Sequence, residues 1–211
     1  MGHTVYSDMN KIRLFVDHTL GEAQSVPLNK DQAHYIFSVM RKSIGETILI
    51  FDGNNGEWEA SIEEISKKSG VLFCIKQTKP QIMPPDLWLF FCPLKKVRTD
   101  FIVEKATELG VAKIIPVQTE HTNVDRIKLS RLSAHAIEAA EQCGGTYIPK
   151  IEELQKINEV LEHFPPDRRL LFCDEKLKAS ELNLENLKKG KWALLIGPEG
   201  GFSELERNYI K

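Results

Sequence analysis

The pattern of apolar and polar positions divides the chain into two parts. In the first part, to about residue 78, short apolar runs alternate with polar residues and turns, which is typical of half-buried strands. One helix is predicted to start after Asn29, which can form a capping box with Gln32. The predicted strands of this β-rich part lie at 13–16, 47–52, 57–63 and 71–75.

The second part, residues 87–211, alternates strands with helices. Residues 79–86, between the two parts, contain three prolines, so we predict a linker there. The strands of the second part are continuous apolar runs, as expected of strands covered on both faces. This alternation predicts an α/β domain with a parallel sheet between helices. Strands are predicted at 87–92, 113–117, 170–173 and 192–196, and helices at 100–109, 127–142 and 152–163.

Composition excludes several classes of protein. A formal charge of −2 over 211 residues argues against coating nucleic acid by charge alone, so any RNA site would be a local basic patch. The four cysteines form no Cys-x-x-Cys pair, which favours buried free thiols in a cytoplasmic protein over a metal site or disulfides. The first residues have no apolar signal core, and no run approaches the length of a membrane span.

The strongest chemical signal is the segment Gly197–Gly201, here called the glycine loop, which joins a buried strand to a helix. Ser203 and Glu206 can form a capping box for that helix. Open α/β sheets bind ligands beyond the carboxyl ends of their strands, and glycines allow the backbone to approach a ligand closely. A plain strand-to-helix turn is the alternative. The loop matches neither of the glycine-rich nucleotide motifs.

Cationic side chains follow the first strand of the second part. Lys95, Lys96 and Arg98 lie at its exit, with Lys105 farther along the next helix. Cations there could hold phosphate, whereas a solvated loop and helix face is the alternative.

Together these features resemble the 16S ribosomal RNA uridine-N3 methyltransferases, a family of the knotted SPOUT superfamily. The resemblance extends along nearly the whole chain in order and spacing. It is carried by Arg13-Leu14-Phe15-Val16, His34 to Arg41, Lys95, Arg98, Lys105-Ala106-Thr107-Glu108-Leu109-Gly110-Val111, Pro116, Thr119-Glu120, Arg131, Glu138-Ala139-Ala140-Glu141-Gln142 and Ile196 to Phe202.

The resemblance implies an N-terminal PUA-like RNA-binding β-barrel (residues 1–78) and a knotted methyltransferase domain (87–211). It implies a homodimer that uses S-adenosylmethionine to methylate N3 of a uridine in 16S rRNA or the small subunit. The implied RNA contacts are Arg13, Arg41, Lys95, Arg98, Lys105 and Arg131. The implied cofactor contacts are Leu171, Phe172, Glu175, Ile196, Gly197, Pro198, Glu199, Gly200 and Gly201. No proton acceptor for N3 is evident, and Glu199, the nearest carboxylate, belongs to the glycine loop itself.

The sequence also departs from the family pattern. The family continues beyond residue 211 with a strand, a loop and a helix that complete the knot, so we expect this segment to be missing. Gly145 and His121 stand where the family usually has arginines, and Cys143 replaces a serine. Two alternatives remain: a noncatalytic RNA-binding protein on the same scaffold, and a nucleotide-dependent α/β enzyme that holds phosphate in the glycine loop.

Overall fold

The computed structural model describes residues 11–174, 176 and 189–210, which form two compact units. The first unit comprises Met1–Met83 together with Ala140–Tyr147, and the second comprises Pro84–Ala139 and Ile148–Lys211. The division after Met83 falls inside the segment predicted as a linker. The sequence pattern did not indicate that Ala140–Tyr147 packs with the N-terminal strands. None of the described helices is long and apolar enough to cross a membrane.

The first unit is built on one five-stranded sheet with the order β1-β3-β4-β5-β2. Strands β1 and β3 are parallel, and the other neighbouring strands of this sheet are antiparallel. Apolar side chains from all five strands share one core with Ala33 and Ile36 of the helical segment. The elements are β1 (Arg13–Phe15), β2 (Ser25–Leu28), α1 (Lys30–Ala33), a π-helical segment (His34–Val39), β3 (Thr47–Phe51), β4 (Glu57–Ile65) and β5 (Gly70–Lys79).

The second unit is built on a parallel sheet with the order β10-β11-β6-β7-β8, and the short β9 also pairs with β7. Phe90 of β6 packs on the α4 face, and Leu89 and Phe91 pack on the face covered by α2 and α3. This confirms the predicted α/β sheet with helices on both faces. The elements are β6 (Leu87–Phe91), α2 (Lys96–Glu108), β7 (Lys113–Gln118), α3 (Leu129–Cys143), β8 (Lys150–Ile151), β9 (Gln155–Lys156), α4 (Ile157–Glu162), β10 (Arg169–Cys173), β11 (Trp192–Ile196) and α5 (Glu204–Ile210).

The structure corrects several boundaries. Helix α2 starts at Lys96 rather than at residue 100, and α4 starts at Ile157 rather than at 152, because residues 155–156 pair with β7. Strand β2 was not predicted. It contains Pro27, which an edge strand tolerates because one side of its backbone needs no sheet partner.

The cysteines are only partly as predicted. All four are free thiols, and Cys74 and Cys92 are buried, but Cys143 and Cys173 are exposed. Cys143 is the last residue of α3 and Cys173 is the last residue of β10, so both lie where an element leaves the packed interior.

Candidate functional site

The glycine loop leaves the carboxyl end of β11, which lies between β10 and β6 in the sheet. The Gly201 amide donates to the Pro198 carbonyl at 2.9 Å, which closes a tight turn, and Gly201 adopts a φ of 66°. This left-handed conformation suits glycine because it has no Cβ. The loop therefore lies at the sheet edge where open α/β folds bind ligands.

Phe202 fixes the start of the loop. Its ring is 1% exposed and packs edge-on against Phe172 of β10, with ring centroids 4.8 Å apart. A Cβ added at Gly197 would lie 2.4 Å from the Phe202 ring, closer than real side chains approach. Glycine is thus required at position 197 by packing inside the protein, independently of any ligand.

His121 holds the other end of the loop. Its Nδ1 lies 3.1 Å from the carbonyl oxygen of Gly200 and 3.2 Å from that of Gly201. Since carbonyl oxygens only accept hydrogen bonds, the proton lies on Nδ1 and is donated to them. No histidine was expected to have a role from the sequence. The available signal was that His121 replaces an arginine of the family pattern.

Helix α5 is connected to neighbouring loops by its first turns. The predicted capping box is confirmed, because the Ser203 amide donates to Glu206 Oε2 at 2.9 Å and the Glu206 amide lies 3.4 Å from Ser203 Oγ. Glu206 Oε1 also accepts from the Glu120 amide after β7, at 2.8 Å. The loops after β7 and β11 are therefore held by one carboxylate.

A buried ion pair lies beside the exit of β10. Arg207 Nε donates to Asp174 Oδ2 at 2.7 Å, and Arg207 Nη2 donates to Asp174 Oδ1 at 3.1 Å. These hydrogen bonds hold the pKa of the Asp174 carboxyl below its ordinary value. The pair joins α5 to the strand next to the glycine loop.

The predicted cofactor residues occupy two neighbouring strands and the loop between β11 and α5. Leu171 and Phe172 belong to β10 and Ile196 ends β11, so these three are strand residues rather than loop residues. Leu171 is paired in register with Leu194. Glu175 lies outside the described residues.

The predicted RNA-binding cations of the second unit are brought together only in part. Lys95 and Arg131 line one cavity between the first turns of α2 and α3, and Arg131 is paired with Asp100. Arg98 forms an ion pair with Glu199 of the glycine loop, and both side chains are largely exposed. Lys105 is in the last turn of α2 and contacts Glu108. At 1.5 Å per residue it lies roughly 13 Å along the helix from Lys96.

Arg13 has a structural environment in the first unit. Its Nε donates to Glu57 Oε2 at 2.6 Å, and the Arg13 and Glu57 side chains are 10% and 2% exposed. Its Nη1 donates to the carbonyls of Ala140 and Glu141, and its Nη2 donates to that of Gly145. These contacts account for Arg13 without RNA, and its predicted RNA contact stays a prediction.

Arg41 follows the π-helical segment of the same unit and is exposed. It adopts a φ of 54°, which is uncommon for a residue other than glycine. Its role in RNA binding also stays a prediction.

Two family profiles match this sequence. The profile described as RNA methyltransferase domain matches residues 82–211. The profile described as RNA methyltransferase PUA domain matches residues 28–72. The PUA profile falls within the first unit, whereas the methyltransferase profile covers the second unit and also residues 82–83 and 140–147 of the first.

Individual relatives and solved structures agree with these profiles. Ribosomal RNA small subunit methyltransferase E of Helicobacter pylori strain J99 is 32% identical over 207 residues, covering 93% of this chain and 87% of that protein. A putative methyltransferase of Legionella pneumophila, solved with bound S-adenosylmethionine, is similar in structure with a TM-score of 0.82 and 26% identity, covering 94% of this chain and 84% of that one.

The Neisseria gonorrhoeae ribosomal RNA small subunit methyltransferase E bound to S-adenosylmethionine gives a TM-score of 0.83 at 24% identity, again over 94% of this chain and 84% of that one, which supports the fold. The methyltransferase profile covers more than half of the chain. The chain therefore belongs to the RNA methyltransferase family, together with the ribosomal RNA small subunit methyltransferase E proteins.

Proposed function

We propose that this protein transfers a methyl group from S-adenosylmethionine to N3 of a uridine in 16S ribosomal RNA, free or within the small ribosomal subunit. The observation that carries the proposal is the glycine loop at the carboxyl edge of the parallel sheet, in a chain of the RNA methyltransferase family. The names of the relatives support a small-subunit rRNA substrate. The uridine N3 position comes from the resemblance stated above.

The residues at this edge fit a ligand that is part apolar and part polar. Ile196 ends β11 with 42% of its surface exposed, which offers an apolar surface for an adenine ring. The glycine loop has three residues without a side chain, and His121 fixes two of its carbonyls. We propose that this loop, Ile196, Leu171, Phe172 and Glu175 hold the cofactor. The sulfonium of S-adenosylmethionine supplies an activated methyl group and needs no metal.

The protein's main contribution would be placement of the acceptor base. Near in-line positioning of N3 and the methyl carbon accounts for much of the acceleration in such a transfer. We propose that Lys95, Arg98, Lys105 and Arg131 contact RNA phosphates, which orient a substrate without reading its sequence. The Arg98–Glu199 ion pair is exposed and therefore weak, so it can open when a substrate phosphate competes for Arg98.

Other consequences of the resemblance stay predictions. They are closure of the N-terminal sheet into a PUA-like barrel, a knot in the C-terminal domain, a homodimer and a cytoplasmic location. Arg13 and Arg41 are the predicted RNA contacts of the first unit.

Calorimetric titration with S-adenosylhomocysteine tests the cofactor site. We expect binding by the wild-type chain and none by Gly200→Val. A Cβ at Gly200 would lie 3.2 Å from His121 Cβ, so the valine side chain should displace His121 from the carbonyls of Gly200 and Gly201 and change the shape of the loop. Gly21→Val is the matched control, because a Cβ at Gly21 has no atom within 4 Å. Wild-type affinity in Gly200→Val would place the cofactor elsewhere.

The product identifies the reaction. Small subunits lacking the modification are incubated with methyl-labelled S-adenosylmethionine, and the digested rRNA is analysed by mass spectrometry. We expect label in N3-methyluridine. Label on a ribose oxygen or on another base would overturn the proposed acceptor, and absence of cofactor binding and of label would favour the noncatalytic RNA-binding alternative.

A further inference from the structure

A cavity of about 250 Å³ lies in the second unit between the first turns of α2 and α3. It lies at the exit of β6, since Pro93 and Leu94 line one side of it. Its volume is just below the range of about 300–1,000 Å³ that is typical of small-molecule sites. A cavity of this size suits one part of a larger ligand.

The lining is strongly positive. Arg131 is paired with Asp100, the one carboxylate of the lining, and the other cations make no ion pair within the described part of the chain. Helix α2 starts here without a side-chain cap, so its N-terminal amides add positive potential. Cations and a helix N-terminus together favour a phosphate group. The cationic lining residues are Lys95, Lys96, Arg126, Lys128 and Arg131.

Asp100 gives a second, independent indication of what the ligand carries. The residue is 7% exposed, and its Oδ2 accepts from Arg131. Its Oδ1 is buried and has no hydrogen-bond donor among the described residues. Leaving a buried carboxylate oxygen unpaired is unfavourable, and Asp100 lines the cavity, so rotation of the carboxylate about its Cβ–Cγ bond toward a ligand that supplies a donor would be stabilising. Phosphate is mainly an acceptor, whereas a ribose hydroxyl is a donor.

We propose that this cavity holds one nucleotide of the RNA substrate, with its phosphate against Lys96, Arg126 and Lys128 and its ribose 2′-hydroxyl donating to Asp100. The inference rests on the proposed function in taking RNA as the substrate. It adds Lys96, Arg126, Lys128 and Asp100 to the RNA site, and it gives the protein a means to distinguish RNA from DNA. Asp100 also positions Arg131 through their ion pair.

The phosphate contact is tested by fluorescence anisotropy with a labelled single-stranded RNA of ten nucleotides, without cofactor. We expect Lys96→Ala/Lys128→Ala to weaken RNA binding about tenfold or more, because the loss of one hydrogen bond between charged groups typically lowers affinity by about tenfold. The slope of log affinity against log salt should fall by roughly 0.7 per lost contact. The control is Lys150→Ala/Lys189→Ala, two exposed lysines of the same unit outside the cavity. Equal behaviour of the two double variants would overturn the site.

The hydroxyl contact is tested by the ratio of affinities for this RNA and for the DNA of the same sequence. We expect the wild type to prefer RNA by about tenfold, and Asp100→Ala to bring the ratio close to one. Loss of the Arg131 anchor or partial misfolding would weaken both ligands and leave the ratio unchanged. An unchanged ratio in Asp100→Ala would therefore overturn the role of Asp100.

Titration with S-adenosylhomocysteine separates this inference from the proposed function. If the cavity variants behave as expected but the wild type binds no cofactor, the methyltransferase proposal fails and the nucleotide site stands. If the cofactor binds and the cavity variants match their control, the nucleotide site fails and the methyltransferase proposal stands.

Discussion

Replacement of Arg13 by alanine should reduce the stability of the first unit strongly. The guanidinium is almost fully buried, pairs with Glu57 and donates to three carbonyls in the segment at the end of α3. Its carbon also lies 4.6 Å from the centroid of the Phe51 ring. Truncation therefore removes the main counterion of a buried carboxylate and the guanidinium donors to three backbone carbonyls.

The magnitude follows from the environment of Glu57. Removing one member of a buried ion pair typically costs about 3–5 kcal/mol. Lys79 Nζ lies 3.3 Å from Glu57 Oε2, and Thr78 Oγ1 donates to Oε1, so part of the stabilisation remains. We therefore expect Arg13→Ala to lower the free energy of unfolding by about 3 kcal/mol, the lower end of that range. Adding Glu57→Gln, which removes the uncompensated charge, should restore about 1–2 kcal/mol.

Urea denaturation followed by circular dichroism measures these differences. The matched control is Lys42→Ala, which breaks an exposed i,i+4 pair with Glu46 in the same unit and should leave the stability close to that of the wild type. The reasoning is refuted if Arg13→Ala resembles this control, or if Glu57→Gln destabilises the Arg13→Ala background further. If Arg13→Ala leaves the salt slope of RNA binding unchanged, the structural role suffices to explain this arginine.

The same network predicts a pH dependence. Burial raises the pKa of Glu57, but hydrogen bonds from Arg13 and Thr78 and the charges of Arg13 and Lys79 outweigh it, so the pKa lies below its ordinary value. A carboxyl whose pKa is lower in the folded than in the unfolded protein stabilises the fold when the pH is above its unfolded pKa of about 4.3. This stabilisation is lost as the pH falls through the folded pKa. The stability difference between wild type and Arg13→Ala should therefore narrow below about pH 4. A difference that widens in acid would contradict this assignment.

Three further variants test the loops around the proposed cofactor site. Gly197→Ala should destabilise the fold by about 1–3 kcal/mol through its clash with Phe202, as measured by urea denaturation; wild-type stability would contradict the packing argument. Asp174→Asn should cost about 3 kcal/mol at neutral pH by removing the carboxylate bound most closely to the buried Arg207, for which Glu204 at 3.6 Å compensates only in part, and the loss should shrink in acid as the carboxyl of the wild type, whose pKa is lowered, becomes protonated. His121→Ala should weaken S-adenosylhomocysteine binding about tenfold in calorimetry, and unchanged affinity would mean that the loop keeps its shape without this contact.

The sequence was most informative where local pattern and tertiary structure agree. The continuous apolar runs at 87–92 and 192–196 predicted strands buried on both faces, and β6 and β11 are neighbours in the parallel sheet. The capping pairs Asn29–Gln32 and Ser203–Glu206 are confirmed because both partners of a cap lie within one turn. Such local signals do not depend on the rest of the fold.

The elements that were missed depend on contacts distant in sequence. Residues 155–156 are in strand conformation only because β7 offers a partner, so their own pattern could not exclude a helix. The π-helical segment His34–Val39 lies within the helix predicted to start after Asn29, and the sequence pattern did not distinguish a π-helix from an α-helix. Arg13 looked like a free cation in the sequence, and only its partners 44 and 127 residues away define its burial.

The glycine loop illustrates why a motif alone could not define the site. Its three glycines look equivalent in the sequence, yet each has a different requirement. Gly197 makes room for Phe202, Gly201 adopts a left-handed conformation, and Gly200 lies against His121, whose Cβ a side chain at position 200 would meet at 3.2 Å. Of the three, Gly200 is therefore the position at which added bulk acts on the exposed His121 contact of the loop rather than on the buried Phe202 ring or on a left-handed backbone. A substitution there probes binding, whereas one at Gly197 probes the fold.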